Sequence, residues 1–304
     1  MVNAPSFIIM GAMKCATTTL HEQLEEQVGI FMSHPKEPNF FSDDNQFCRG
    51  IDWYSGLFEA ASEGDICGES STHYTKLPTY PNTVKRLHQH LPNVKLIYVM
   101  RHPVDRLISQ YIHEWSQNKV PGDLSQALKQ HPELYEYSLY SRQLQPYLET
   151  FGPENVLPVF FERLRQSPNE EFTRICKFIG YDQPAHWLKD LKHQHASKAR
   201  LRKSSWRDAI VNAPILSSIR RHWVPQSFRD WVKGFWQMQH RPQLSVQDRT
   251  WLEAKFDIDL AILGDWLGME LSCKNFSTAA LTSSSVGWIN YQPSQRVLQP
   301  HPYK

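Results

Sequence analysis

A short loop near the start of the chain carries residue types suited to binding an anion. The segment FIIMGAMKCATTTLHEQL, residues 7–24, is an apolar run followed by Gly11, Lys14 and consecutive threonines at 17–19. A strand, a tight turn and a helix would point unpaired backbone N–H groups and the positive end of a helix dipole at one place. Lys14 adds a mobile positive charge, and the threonines add hydroxyl donors. The alternative is an ordinary helix start, in which Thr17 caps the helix and Lys14 is solvated.

This loop differs from the P-loop that binds nucleotides. The P-loop has two glycines separated by four residues and followed directly by Lys and then Ser or Thr. Here Gly11 is followed by Lys14 and then by Ala16. The sequence therefore predicts a phosphate cradle of a different kind.

A second set of polar residues follows the apolar run KLIYVM at residues 95–100. In P-loop NTPases an Asp after the corresponding strand helps to hold magnesium, but here the run is followed by Arg101. A cation at a strand end suits an anionic group, and Ser109 could add its hydroxyl from a helix that begins at Pro103. The alternative is a surface ion pair between Arg101 and Asp105.

Short apolar runs alternate with segments of helical spacing, and this pattern predicts the elements that hold these residues. Strands are predicted at residues 7–10, 65–68, 94–100 and 155–160, and helices at residues 18–28, 81–90, 103–117 and 138–151. The alternation predicts an α/β fold, P-loop-like and three-layered, with a central mostly parallel sheet flanked by helices. Ligands of such sheets bind at the carboxyl ends of the strands, where Lys14 and Arg101 would both lie.

The overall composition is that of a folded protein of moderate charge. The chain has 304 residues, 40% of them hydrophobic, and a net charge of +2, which argues against disorder and gives no support to nucleic-acid binding. Its five cysteines have no CxxC spacing and fit neither a disulfide framework nor a zinc site. The apolar run at residues 7–10 is too short for a signal-peptide core or a membrane span. We therefore expect a cytoplasmic protein with no metal and no membrane or nucleic-acid partner.

The chain is predicted to form one domain over residues 1–273. The remaining segment, residues 274–304, is rich in Ser and Gln and contains Pro293, Pro300 and Pro302. Such a composition is typical of a poorly ordered tail. The oligomeric state is left open.

Three motifs together resemble the sulfotransferases that use 3′-phosphoadenosine-5′-phosphosulfate (PAPS), in particular the bacterial and heparan-type members. The motifs are IIMGAMKCATTTL, PKEPNFF at residues 35–41 and VMRHPVDRLISQY at residues 99–111, in the order that the family has. A later segment, PQLSVQDRTWLEAKFDIDLAILGDWLGMELS, is similar to the family's carboxy-terminal helix pattern. The resemblance covers roughly residues 5–273.

The resemblance implies an enzyme, a PAPS-dependent sulfotransferase, and a site for its donor. The residues that would wrap the 5′-phosphosulfate are Lys14, Cys15, Ala16, Thr17, Thr18 and Thr19. Arg101 and Ser109 would bind the 3′-phosphate that distinguishes this donor from ATP. Lys14 would also act in catalysis, on the bridging oxygen and the sulfonate. A sulfuryl group carries less negative charge than a phosphoryl group, so one lysine and backbone amides could stabilise the transition state without a metal.

The acceptor needs a base if it is a hydroxyl, because its proton must leave as the sulfur–oxygen bond forms. Glu37, in KEPNFF, matches the glutamate that has this role in the heparan-type and related bacterial members. His73, in GESSTHYT, is the rival base. The implied reaction is an in-line displacement onto a hydroxyl, or onto an amine or amide nitrogen, of a small metabolite or a sugar.

Three residues depart from the family pattern. Ala16 stands where the family usually has Gly, Asn39 replaces a frequent histidine, and Ser70 replaces a common lysine. The last two changes remove positive or potentially positive groups from the acceptor side. We therefore expect a small metabolite or a lightly charged sugar rather than a polyanionic glycan.

A basic segment later in the chain offers further donor contacts. It contains Lys198, Arg200, Arg202 and Lys203 and could close over the 3′-phosphate, as a late basic loop does in the family. The alternatives are a solvated run of charge or a contact with phosphate of a membrane or a nucleic acid.

Two other functions remain open from the sequence. One is a P-loop-type kinase of a small metabolite, against which the missing second glycine and the missing strand-end Asp count. The other is a non-catalytic nucleotide-binding protein, which would bind the donor without transfer.

Overall fold

Five parallel strands form the sheet on which the predicted residues are mounted. The computed structural model describes residues 4–189, 191, 241–283 and 286–293. The strands are β1 (Phe7–Gly11), β2 (Ile30–Met32), β3 (Ile66–Ser70), β4 (Lys95–Met100) and β5 (Val156–Phe160). All four strand pairs are parallel, which confirms the predicted α/β class.

The strand order β2-β3-β1-β4-β5 fixes where a ligand can bind. The chain leaves β1 toward β2 on one side and leaves β4 toward β5 on the other. Neighbouring strands whose connections diverge in this way leave a crevice between their carboxyl ends. The crevice between β1 and β4 therefore lies between the segments that begin with Gly11 and Arg101.

Helices connect the strands and cover the sheet. They are α1 (Thr17–Glu25), α2 (Asp44–Phe47), α3 (Ile51–Gly56), α4 (Thr83–His90), α5 (Pro103–Ser116), α6 (Leu124–Gln130), α7 (Glu133–Glu136), α8 (Tyr140–Phe151), α9 (Phe161–Gln166), α10 (Pro168–Phe178), α11 (Val246–Leu267) and α12 (Phe276–Thr282). Right-handed crossovers place α1 on one face of the sheet and α4 on the other. Within the described ranges, no helix combines the length and the apolar character that a membrane span requires.

The sequence prediction missed β2. This strand has only three residues, too few to stand out as an apolar run, and its pairing with β3 extends the sheet at that edge. The other four strands overlap the predicted runs, because strands buried on both faces are continuously apolar.

Residues 274–283 and 286–293 have a defined structure where the sequence predicted a tail. Helix α12 begins at Phe276, whose ring is fully buried and lies 5.4 Å from that of Phe160, centroid to centroid. The indole of Trp288 donates to Val156 O at 2.6 Å. The predicted tail therefore begins too early: buried aromatic side chains hold this segment on β5.

Helix α11 fixes the start of α8, and α8 in turn fixes the end of β4. The buried carboxylate of Asp259 accepts hydrogen bonds from the backbone N–H groups of Ser141 at 3.1 Å and Arg142 at 3.2 Å. The hydroxyl of Tyr140, the first residue of α8, donates to Arg101 O and accepts from Arg101 N. Arg101 therefore has a backbone position set by two helices.

Three segments meet at Gly11, the last residue of β1. A Cβ added there would lie 2.1 Å from Thr75 Oγ1 and 2.8 Å from Tyr98 Cε2. The Thr75 hydroxyl donates to Met10 O at 2.8 Å, and the Tyr98 ring is fully buried in β4. Only glycine lets these groups come so close to the β1 backbone.

We therefore expect Gly11→Ala to lower the free energy of unfolding by about 1–3 kcal/mol, the usual cost of forcing a methyl group into a packed interior. Urea denaturation would measure the change. Gly287→Ala is the matched control, because no atom lies within 4 Å of the Cβ it would add. Equal stability of the two variants would contradict the close packing at Gly11.

Candidate functional site

The loop between β1 and α1 has the backbone of an anion cradle. Lys14 and Ala16 both have positive φ, at 73° and 66°, so the chain turns sharply before α1 begins. The N-cap residue is Ala16, and no side chain caps the helix. The alternative in which Thr17 caps α1 is therefore wrong. The first N–H groups of a nine-residue helix have no side-chain acceptor and point toward the crevice end of β1.

The loop side chains are not equivalent. The Cys15 thiol is fully buried, and burial, partly offset by Arg106 and Arg101, raises its pKa to about 12. The thiol is therefore neutral at pH 7, and the Cys15 backbone N–H already donates to Ala12 O at 3.2 Å. Thr17 is also buried, whereas Thr18 and Thr19 are half-exposed.

Arg101 connects the end of β4 to this loop. Its Nη1 donates a long hydrogen bond, 3.4 Å, to Lys14 O, and its guanidinium lies 4.9 Å from the centre of the Phe161 ring. The alternative ion pair with Asp105 is not formed, because Asp105 accepts from Arg241 at 2.6 Å instead. Ser109 is buried two turns into α5.

Glu37 lies in the loop between β2 and α2. One carboxylate oxygen accepts from Lys36 Nζ at 3.0 Å and the other from Thr72 Oγ1 at 3.3 Å. Burial alone would raise the pKa of Glu37, but the ammonium groups of Lys36 and Lys76 outweigh it and hold the pKa below its usual 4.5. The carboxylate is therefore ionised at neutral pH and held by two donors from different segments.

His73 lies next to Thr72, in the turn Thr72–Thr75 that follows β3. Its ring stacks on Tyr80 with centroids 4.9 Å apart, and its Nδ1 is buried without a hydrogen-bond partner in the described part of the chain. Burial, reinforced by Lys76, lowers its pKa to about 4. Both candidate bases are therefore unprotonated at neutral pH.

A chain of hydrogen bonds holds the Glu37 loop on β3. Asn39 N donates to Ser71 Oγ at 3.1 Å, and Ser71 Oγ donates to Glu69 Oε2 at 3.2 Å. Glu69 is fully buried, and burial raises its pKa to about 7. The motif GESS thus supplies the support of the candidate base.

Ser70 has a partner of its own at the end of β3. Its hydroxyl lies 2.9 Å from Nδ1 of His21 in α1. Burial and the charge of Lys36 lower the pKa of His21 to about 3. The hydroxyl at position 70 therefore ties β3 to α1, with His21 neutral.

The structure forms two groups from the predicted site residues. One holds the loop residues 14–19 and Arg101, at the ends of β1 and β4. The other holds Glu37 and His73, whose charges affect each other's pKa. Lys198, Arg200 and Arg202 lie outside the described residues.

The sequence analysis did not identify two residues near Glu37 and His73, namely Thr72 and Lys76. Both follow β3 within the segment SSTHYTK, so their position just after a strand end was the available signal. Neither residue type is diagnostic without the contact to Glu37.

Comparisons with known proteins give a consistent result. A family model described as "Sulfotransferase domain" matches residues 4–221, which is more than half of the chain and confirms the resemblance. The crystal structure of a sulfotransferase from Alicyclobacillus acidocaldarius is similar in fold, with a TM-score of 0.60 and 24% identity over 89% of this chain and 98% of that one.

Two curated relatives have longer chains. Mouse heparan sulfate glucosamine 3-O-sulfotransferase 6 is 33% identical over 58% of this chain and 52% of that protein. Human bifunctional heparan sulfate N-deacetylase/N-sulfotransferase 2 is 29% identical over 62% of this chain and 23% of that protein. The chain thus spans about half, or less, of these relatives' lengths.

The site predicts an unusual titration of His73. Its imidazole should stay neutral down to about pH 4, because burial disfavours the charged form. NMR of the imidazole nitrogens as a function of pH would measure this, with His73→Gln to assign the signal. The unfolded chain binds this proton at a higher pH, near 6.5, so the free energy of unfolding should fall as pH drops from there toward 4. A midpoint near 6.5 in the folded protein would contradict the buried position.

Proposed function

The chain belongs to the sulfotransferase family, and on this premise we propose that it transfers a sulfuryl group from PAPS to a hydroxyl of an acceptor. The observation that carries the proposal is the contact of Arg101 with Lys14 O at 3.4 Å. This contact brings together the loop that carries Lys14, after β1, and the segment that begins with Arg101, after β4. A donor with phosphate groups at both its 5′ and 3′ positions needs such a pair.

On the donor side, backbone amides and fixed cations bind the anionic groups. The loop of residues 14–19 receives the 5′-phosphosulfate through the N–H groups at the start of α1 and the Lys14 ammonium. Arg101 and Ser109 receive the 3′-phosphate. As the bond from sulfur to the bridging oxygen breaks, Lys14 stabilises the negative charge that collects on the departing phosphate. Catalysis without a metal stays a prediction.

On the acceptor side, Glu37 takes the proton. The acceptor oxygen attacks sulfur in line with the departing phosphate oxygen, and its proton passes to the Glu37 carboxylate. The products are the sulfated acceptor and adenosine 3′,5′-bisphosphate. Lys36 and Thr72 hold the carboxylate, so that the lone pair it uses has a fixed direction.

His73 is the second candidate for the base. Its Nδ1 has no partner in the described residues, and the ring is neutral at pH 7 because its pKa is about 4. Glu37 is favoured because two donors orient it, whereas the His73 ring, among the residues that the structure describes, stacks on Tyr80 and has no hydrogen bond at Nδ1.

The names of two relatives support a class of acceptor for this proposal. The curated relatives are named for heparan sulfate, which supports a carbohydrate, and a small metabolite stays an alternative. The match to the sulfotransferase family argues against the kinase alternative. A cytoplasmic location and the absence of membrane and nucleic-acid partners stay predictions.

The donor assignment predicts a preference for a 3′-phosphate. By calorimetry without magnesium, the protein should bind adenosine 3′,5′-bisphosphate more tightly than ADP. Arg101→Ala should weaken the former by about 10- to 100-fold, the value of one or two charge-assisted hydrogen bonds, and affect ADP little.

Arg165→Ala is the control for this measurement, because it removes the same side chain from an exposed position on α9. Equal weakening of both ligands by Arg101→Ala would overturn the 3′-phosphate assignment. Equal binding of both ligands by the unaltered protein would overturn the sulfotransferase proposal.

The base assignment predicts a split between binding and transfer. Glu37→Gln keeps the shape and should leave binding of adenosine 3′,5′-bisphosphate intact, while transfer of labelled sulfate falls by about 10²–10⁴-fold, as expected for a lost general base. His73→Gln should reduce transfer much less. The reverse ranking would make His73 the base, and full transfer in both variants would remove each from the chemistry.

A further inference from the structure

Lys76 is a largely buried cation without a hydrogen-bond acceptor. It follows the Thr72–Thr75 turn, and only 8% of its surface is exposed. Its Nζ lies 5.8 Å from the centre of the Tyr137 ring, and no residue in the described part of the chain accepts a hydrogen bond from it. Its Nζ is not among the buried polar atoms that lack a partner, so the stem is buried while the ammonium at its tip is open to solvent, where a ligand can reach it.

The charges around Lys76 leave an excess of positive charge. Glu37 is already paired with Lys36 at 3.0 Å, and Glu114 has Lys119 as its partner at 4.0 Å. His73 is neutral at pH 7. Glu37 and Glu114 also stabilise the Lys76 charge, but two carboxylates are shared among three ammonium groups, so the set keeps a net positive charge.

A second cation strengthens this excess. Arg106, whose charge also acts on Lys76, is fully buried and bonds to neutral groups, namely Ser138 Oγ, Gln110 Oε1 and Leu134 O. Each of these acceptors lacks a full negative charge. The field at Lys76 therefore remains positive and favours an anion beside it.

We infer that Lys76 binds a singly charged oxyanion of the acceptor, a carboxylate or a sulfate ester on the same molecule as the hydroxyl that is sulfated. This inference rests on the proposed function and names its substrate class. Lys76 directly follows the turn that holds Thr72, which contacts Glu37, and the charges of Lys76 and Glu37 act on each other, so the anion and the reacting hydroxyl are neighbours on the acceptor.

The single ammonium group of Lys76 can neutralise a single negative charge on the acceptor. The residue at position 70, a lysine in many family members, is Ser70 and bonds to His21. Lys76 supplies a positive charge from the following turn instead. The acceptor is then a sugar or small molecule with one acidic group near the reacting hydroxyl, not a polyanion.

Three matched acceptors test the inference. They are phenyl β-D-glucoside, its 6-sulfate and phenyl β-D-glucuronide, which differ only at carbon 6. Transfer from labelled PAPS is measured for the unaltered protein, Lys76→Met, Lys76→Arg and the control Lys85→Met, an exposed lysine on α4. Binding of adenosine 3′,5′-bisphosphate by calorimetry is measured on the same preparations.

We expect the unaltered protein to prefer one acidic acceptor over the glucoside by about 10- to 100-fold in kcat/KM, the value of a charge-assisted hydrogen bond. The faster acidic acceptor identifies carboxylate or sulfate ester as the oxyanion. Lys76→Met should lose this preference, Lys76→Arg should keep part of it, and Lys85→Met should keep it fully. The preference should also decline above about pH 8, the value to which burial lowers the pKa of Lys76.

A thermal melt separates binding from a structural role. Removing a largely buried charge that lacks a hydrogen-bond partner should leave Tm unchanged or raise it. A lower Tm of Lys76→Met, with all three acceptors affected alike, would overturn the inference.

Two further outcomes distinguish a failure of the inference about Lys76 from a failure of the proposed function. Equal use of the glucoside and the acidic acceptors, or transfer to none of the three while adenosine 3′,5′-bisphosphate binds, overturns the inference about Lys76 and leaves the donor site standing. Absence of both transfer and nucleotide binding overturns the proposed function itself.

Discussion

The close contact at Gly11 is the constraint on which the site depends. Thr75 and Tyr98 both approach the backbone there to distances that exclude a side chain. Because Thr75 ends the turn that carries Thr72 and His73, and Tyr98 belongs to β4, one residue of β1 sets the spacing of three strand ends. The loop with Lys14, the turn beside Glu37 and the strand before Arg101 are therefore parts of one rigid junction rather than independent loops.

The two halves of this junction differ in their electrostatics. The loop after β1 and the end of β4 present backbone N–H groups and an arginine to a ligand. Neither kind of group gains or loses a proton near neutral pH. The region around Glu37 uses groups that titrate: burial lowers the pKa values of His73 and Lys76, and the charge of Lys76 lowers that of His73 further. The first group therefore provides an electrostatic field that does not vary with pH near neutrality, and the group around Glu37 can exchange a proton with a ligand.

Much of the group formed by the loop after β1 and Arg101 was predictable from the sequence, and little of the group around Glu37 was. The buried strands, the loop with Gly11 and Lys14, and the arginine that follows an apolar run can each be recognised from local residue types. The support of Glu37 by Thr72, Ser71 and Glu69 depends on pairing between segments more than thirty residues apart, for which one sequence has no signal. The short β2 and the packing of Phe276 were missed for the same reason, since long-range contacts rather than local pattern stabilise them.

The contacts of the segment after α11 have a consequence for how the molecule assembles. The ring of His102, next to Arg101, bonds to Cys273 O at 2.9 Å across a separation of 171 residues, and Trp288 closes on β5. In the order of synthesis, these contacts form only after residues 273–288 have left the ribosome, long after β4 and β5. Until then the carboxyl end of β4 and the β5 edge lack these partners, so we expect this side of the sheet to complete its packing late in folding.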